Sequence, residues 1–238
     1  MTRRGSRFFP ALLLLSMWCA TAAAQEAGGR AQELIARGNE RYARGEYQAA
    51  IEEYGRVGRT EGEAYAQALY NIGVCRFELW QTEEAVRAYR QAVEARRGHY
   101  PKASYALGVA LEELKREPEA KAVYEHAAVS GYAPAHYKLG MLAASAGDDA
   151  RAAEHFREAI RRSKDKFPAS HNNLGVMLAR AGRLAEAERE FEAALQQSDA
   201  PFEEATRNLK LCRKLLAGQS KDGALALKVA TAADGFNR

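Results

Sequence analysis

Five histidines, His99, His126, His136, His155 and His171, are the residues of this chain best suited to moving a proton or holding a metal. None stands four residues from another histidine or from a cysteine, so a helix presents no ready metal clip. His136 and His171 share one position of a repeating pattern, so neighbouring first helices could bring them near each other. As polar edges of packed helix faces, all five are accounted for without chemistry. The acidic pairs Glu83-Glu84 and Asp148-Asp149 read as the first turns of helices, where negative charge favours the positive helix end. The chain holds no G-x-S-x-G, no G-x-G-x-x-G, no P-loop and no H-E-x-x-H. The expectation is a protein without catalytic residues, metal or cofactor. Of the three cysteines, Cys75 and Cys212 have 136 positions between them. They read as small apolar side chains packed in helices, unbridged.

The elements that would position such residues are short amphipathic helices. Ser170–Leu195 contains two of them, broken at Gly182. Leu174, Gly175 and Leu178 share a face of the first, and Ala187, Phe191 and Ala194 a face of the second. A glycine inside a helix costs about 1 kcal/mol against alanine. Gly175 therefore predicts a close approach, with the second helix coming in through Ala187. The same unit recurs. Gly38, Gly73, Gly108, Gly140 and Gly175 are spaced by 35, 35, 32 and 35 residues. Ala50, Ala85, Ala120, Ala152 and Ala187 repeat those spacings, as do Tyr54, Tyr89, Tyr124, Phe156 and Phe191. A fourth column runs through Val57, Ala92, Ala127, Ala159 and Ala194. A period near 34 marks a repeat array.

The pattern carried by Leu174-Gly175, Ala187, Phe191 and Ala194, and again by Leu139-Gly140, Ala152, Phe156 and Ala159, resembles the tetratricopeptide repeat family. The resemblance implies an all-α, right-handed superhelical solenoid of about five helix-turn-helix repeats, 31–64, 66–99, 101–132, 133–166 and 168–200. Pro101, Pro134, Pro168 and Pro201 fall at repeat junctions, where proline suits a helix start. Gly45, Gly147 and Gly182 stand at the inter-helix turn. Trp80 and Lys115 replace that glycine, which predicts turns of another shape. Asn208-Leu209 is in register with Asn173-Leu174, but Lys210 replaces the glycine. Residues 201–217 are therefore read as a C-terminal capping helix, and 218–238 as a flexible tail.

The resemblance further implies that the first helix of each hairpin lines a concave groove. Asn39, Tyr42, Tyr70, Val74, Phe77, Lys102, Tyr105, Val109, Tyr137, Met141, Asn172 and Val176 would point into it. Asn71 and Asn173 would resemble the family's contacts to a peptide backbone. Tyr70, Tyr105 and Tyr137 share a column, and such rings bury apolar side chains while hydrogen-bonding a main chain. Tyrosine is also an ordinary filler of helix faces. A basic clamp for chaperone carboxylates is not expected, because Ile35 and Ala106 stand where that clamp needs polar groups. The implied function is a non-enzymatic adaptor that binds a peptide or partner protein in the groove. A self-associating spacer subunit of an envelope or secretion complex is the alternative.

Residues 1–24 combine Arg3, Arg4 and Arg7, the apolar run FFPALLLLSMWCA and an Ala22-Ala23-Ala24 cleavage site. This is the layout of a secretory signal peptide. A retained signal-anchor is the competing reading, although the run is short of the roughly 20 residues a span needs. Trp18 before Cys19 argues against lipidation. Residues 25–30 then form an N-terminal linker, and the protein is expected in the periplasm or outside the cell, with no membrane insertion once the signal is cut. Without the leader, the formal charge of +4 falls to 32 Lys+Arg against 31 Asp+Glu. A nearly neutral body gives no pull toward nucleic acid.

Overall fold

A computed structural model of the chain describes residues 29–163, 166–218 and 227–228. The expected signal peptide and most of the expected tail lie outside the described residues. Those residues form eleven α-helices and no strand, as the composition and period require. Residues up to His99 make one compact unit and those from Tyr100 a second. The first unit holds α1 (29–43), α2 (Tyr47–Gly55), a 3-10 turn (Arg59–Glu61), α3 (Glu63–Glu78) and α4 (Thr82–Ala95). The second holds α5 (Pro101–Glu113), α6 (Glu117–Val129), α7 (Ala133–Ser145), α8 (Asp149–Arg162), α9 (Pro168–Arg180), α10 (Leu184–Gln197) and α11 (Glu203–Leu216).

Each hairpin closes on one contact. The five in-register glycines face the aromatic ring of their own second helix: Gly38 meets Tyr54, Gly73 Tyr89, Gly108 Tyr124, Gly140 Phe156 and Gly175 Phe191. A Cβ added at Gly175 would lie 2.7 Å from Cε1 of Phe191, inside van der Waals contact. This corrects the expectation that Ala187 dictates the glycine. The alanine column is buried, but the ring occupies the space a Cβ would fill. All five rings are buried.

The five inter-helix turns share one geometry. Gly45, Gly147 and Gly182 have φ near +75° to +79°, and Trp80 and Lys115 adopt the same left-handed conformation at φ +59°. The hydrogen bonds repeat as well. Gly182 N–H donates to the Ala179 carbonyl at 3.0 Å and Arg183 N–H to the Leu178 carbonyl at 2.9 Å. Lys115 N–H donates to Glu112 and Arg116 N–H to Leu111, both at 2.9 Å. This is the Schellman closure of a helix end. The expectation of differently shaped turns at Trp80 and Lys115 is thus wrong: the hydrogen bonds and hairpin packing impose the conformation, and the side chain is carried along at a cost.

Prolines start α5, α6, α7 and α9, where no intrahelical donor is lost. Asp148 caps α8, its carboxylate accepting the Arg151 N–H at 3.0 Å. Helix α11 packs on α10 and also on α9. Ala205 and Phe202 join Ala194 in one buried cluster, and Arg213 reaches Glu188 at 2.7 Å and Glu192 at 2.6 Å. Lys210 is exposed. Cys75 and Cys212 are buried and unbridged. Of the flexible tail expected over 218–238, only Gly218, Leu227 and Lys228 are among the described residues. Leu227 is only 2% exposed, and Lys228 is hydrogen-bonded through its backbone.

Candidate functional site

In the first unit, α1 and α3 bring amides and rings together. The Tyr54 hydroxyl donates to Asn39 Oδ1 at 2.7 Å, and Asn71 Nδ2 donates to the same oxygen at 3.4 Å. Asn39 is exposed, while Tyr42, Tyr70, Asn71, Val74 and Phe77 are half-buried. The Tyr42 ring lies 5.4 Å from Tyr47, and Tyr70 lies 5.8 Å from Tyr89. This surface offers carboxamides for a main chain beside apolar area for side chains.

In the second unit, Lys102 is exposed, and Tyr105, Val109 and Met141 are half-buried. Tyr105 packs 5.7 Å from Tyr124 and 5.6 Å from Tyr132. Tyr137 packs 5.8 Å from Phe156 and 5.3 Å from Phe167. Each tyrosine of the column therefore leans on the aromatic residue that faces the glycine of its own hairpin. The column serves the fold first. Tyr137, at 3% exposure, presents almost no surface to a partner.

Asn172, Asn173 and Val176 are fully buried. The asparagines form a ladder. Asn173 Nδ2 donates to the Tyr137 hydroxyl at 3.4 Å and lies 3.2 Å from Met141 Sδ. Asn172 Nδ2 donates to Asn173 Oδ1 at 3.1 Å, and Asn208 Nδ2 donates to Asn172 Oδ1 at 2.9 Å. Asn208 then clasps the backbone of Lys228, accepting its N–H at 3.1 Å and donating to its carbonyl at 2.8 Å. Sequence reasoning assigned Asn208 to a cap and missed this role. The signal was present: Asn208 stands 35 residues after Asn173, two places before the glycine position, as Asn71 does. No pattern in the sequence pointed to Leu227 and Lys228.

Three of the histidines find partners within hairpins. His136 Nδ1 lies 3.3 Å from His155 Nδ1. His171 Nδ1 lies 2.7 Å from Glu190 Oε2, and its Nε2 lies 2.9 Å from Gln197 Nε2. His136 and His171 thus each meet a side chain from the second helix of their own hairpin. Burial is the largest influence on His136 and His155 and lowers both pKa values, favouring neutral rings. Burial likewise pushes the Cys75 thiol up to about 12, which keeps it protonated and unreactive at neutral pH. Among the described residues, no three His, Cys, Asp or Glu side chains come together in a group that could hold a metal ion.

Helical hairpins closed by glycine–ring contacts and stacked on their neighbours define an α-helical repeat protein. The chain belongs to the tetratricopeptide repeat family, whose model matches residues 78–136, 118–166 and 137–201, together just over half of its length. Members of the family generally act as scaffolds for protein and peptide partners rather than as enzymes. Among solved structures, pilF of Pseudomonas aeruginosa superposes with a TM-score of 0.63 at 19% identity, covering 86% of this chain and 90% of that one. MamA from Desulfovibrio magneticus RS-1 gives 0.53 at 23% identity, covering 72% and 98%. YrrB, described as a TPR protein with an unusual peptide-binding site, gives 0.53 at 21% identity, covering 80% and 97%. Identities at this level speak for the fold alone. No curated protein matches the chain.

Proposed function

We propose that this chain is a non-enzymatic adaptor, exported to the bacterial cell envelope, that binds an extended peptide segment of a partner protein on the faces of its first helices. The observation that carries the reading is the Asn39–Asn71–Tyr54 hydrogen-bonded cluster beside half-buried Tyr70, Val74 and Phe77. Carboxamides match the donor and acceptor of a main chain, and the neighbouring apolar groups take up side chains. Export rests on the arginines, apolar run and alanine cleavage site of residues 1–24. Among the described residues, no helix is long and apolar enough to cross a membrane.

Displayed peptide libraries test the binding reading. The mature chain is expected to enrich extended, non-proline segments. Asn71→Ala combined with Phe77→Ala should weaken the selected peptides about tenfold or more at unchanged helicity, as for loss of a buried anchor. Undiminished binding by that variant overturns the reading. The alternative, a self-associating spacer, is tested at the exposed apolar side chains Trp80 and Val129. A mass that rises with concentration in light scattering, and is restored to monomer by Trp80→Ser with Val129→Ser, would support the spacer instead.

A further inference from the structure

The most ligand-like arrangement among the described residues is made by the chain on itself. Asn208 closes two hydrogen bonds on the backbone of a single residue: its Oδ1 accepts the Lys228 N–H at 3.1 Å, and its Nδ2 donates to the Lys228 carbonyl at 2.8 Å. The second hydrogen on Nδ2 goes to Asn172 Oδ1 at 2.9 Å, so both amide protons are used. Asn172 Nδ2 adds a longer contact of 3.5 Å to the same Lys228 carbonyl. The clasp reads main chain only, for the Lys228 residue itself is exposed. Selectivity falls on the residue before it. Leu227 is 2% exposed and joins the hydrophobic cluster that contains Tyr137, Val176 and Leu209. A main-chain clasp beside a pocket for one apolar side chain is how an extended peptide is recognised.

We propose that α7, α9 and α11 form a peptide site whose ligand is an extended segment with a leucine-sized residue directly before a non-proline residue. The chain's own Leu227–Lys228 fills that site in cis, and a partner segment must displace it. The proposal rests on the peptide-binding reading above and adds the ligand chemistry and the built-in competitor. Proline is excluded at the clasped position because the clasp needs an N–H. A tethered competitor acts at an effective concentration on the order of millimolar. An external peptide therefore meets an occupied site until its affinity or local concentration overcomes the tether.

Two readouts on the full mature chain test this. The first is hydrogen exchange at the Lys228 amide. Wild type and Lys228→Ala, in which the clasped N–H remains, should both be protected, and Leu227→Asp should lose protection. The second is anisotropy of a labelled peptide with the sequence ALALKVAT, residues 224–231 of this chain. Leu227→Asp and Lys228→Pro chains should bind it at least tenfold more tightly than wild type, and adding Asn208→Ala should abolish the gain. Both tail variants lie outside the helices, so helicity by circular dichroism should be unchanged. An unprotected Lys228 amide in wild type overturns the cis occupation, while leaving the binding face on α1 and α3 standing. Protection without any gain in Leu227→Asp makes the tail a structural strap and overturns the proposal. Protection that depends on protein concentration assigns the tail to a second copy, which also overturns it. Loss of library binding in Asn71→Ala with Phe77→Ala remains a separate test of the broader reading.

Discussion

Gly175 owes its place to Phe191, and the same dependence links glycine and ring in every hairpin. A methyl group at Gly175 would have to displace a fully buried ring. Gly175→Ala should therefore destabilise the protein by about 1–3 kcal/mol, although alanine is the better helix former. Phe191→Ala should cost about 3–5 kcal/mol. The double variant should cost clearly less than the sum of the two, because without the ring the methyl has room. Urea denaturation of the four proteins measures the coupling, and strict additivity would show that the two side chains do not compete for one space.

Among the elements, the five turns are the clearest case of packing overriding local preference. A left-handed residue with a Cβ is disfavoured by about 1–2 kcal/mol relative to glycine. Trp80 and Lys115 accept that conformation because the Schellman bonds and the paired helices leave no other path. Lys115→Gly should raise stability by about 0.5–1 kcal/mol after the larger entropy of the unfolded glycine is offset. A drop in the urea midpoint would mean that the Lys115 side chain makes a stabilising contact larger than the strain. In the capping helix, the register with α9 that Asn208-Leu209 keeps also carries an amide into the last helix, where it meets the Lys228 backbone.

For the molecule as a whole, charge is nearly balanced once the leader is set aside, so pH acts through a few groups. His136 and His155 are held neutral by burial, their pKa values below the ordinary 6.5. The unfolded chain binds protons more readily there, so stability is full above about pH 6.5 and is lost as pH falls through that value toward the folded pKa. Glu158 shifts downward through its hydrogen bond from Arg161, and any loss from it comes only in stronger acid. The urea midpoint should fall between pH 7.5 and 5.5, and His155→Gln should flatten that fall. An unchanged slope in the variant would show that other groups carry the pH dependence.

The fold was legible because it rests on local spacing. Glycine, alanine and ring columns repeat every 32 or 35 residues, and each column meets its partner inside one hairpin, where sequence distance and spatial distance agree. The same holds for the turns and for the prolines at helix starts. The candidate site was legible only in part. Asn39, Tyr70, Asn71, Val74 and Phe77 hold partly open positions that follow from helical periodicity alone. Asn172, Asn173, Val176 and Tyr137 have the same periodicity, yet they are buried. What closes over Asn172 and joins Tyr137 and Val176 is α11 together with two residues of a tail that carries no repeat signal. A column of residues determines which face of a helix a side chain occupies, through the 3.6-residue turn. Whether that face is open depends on segments distant in the chain, and only the tertiary structure brings Asn208 and Leu227 to it.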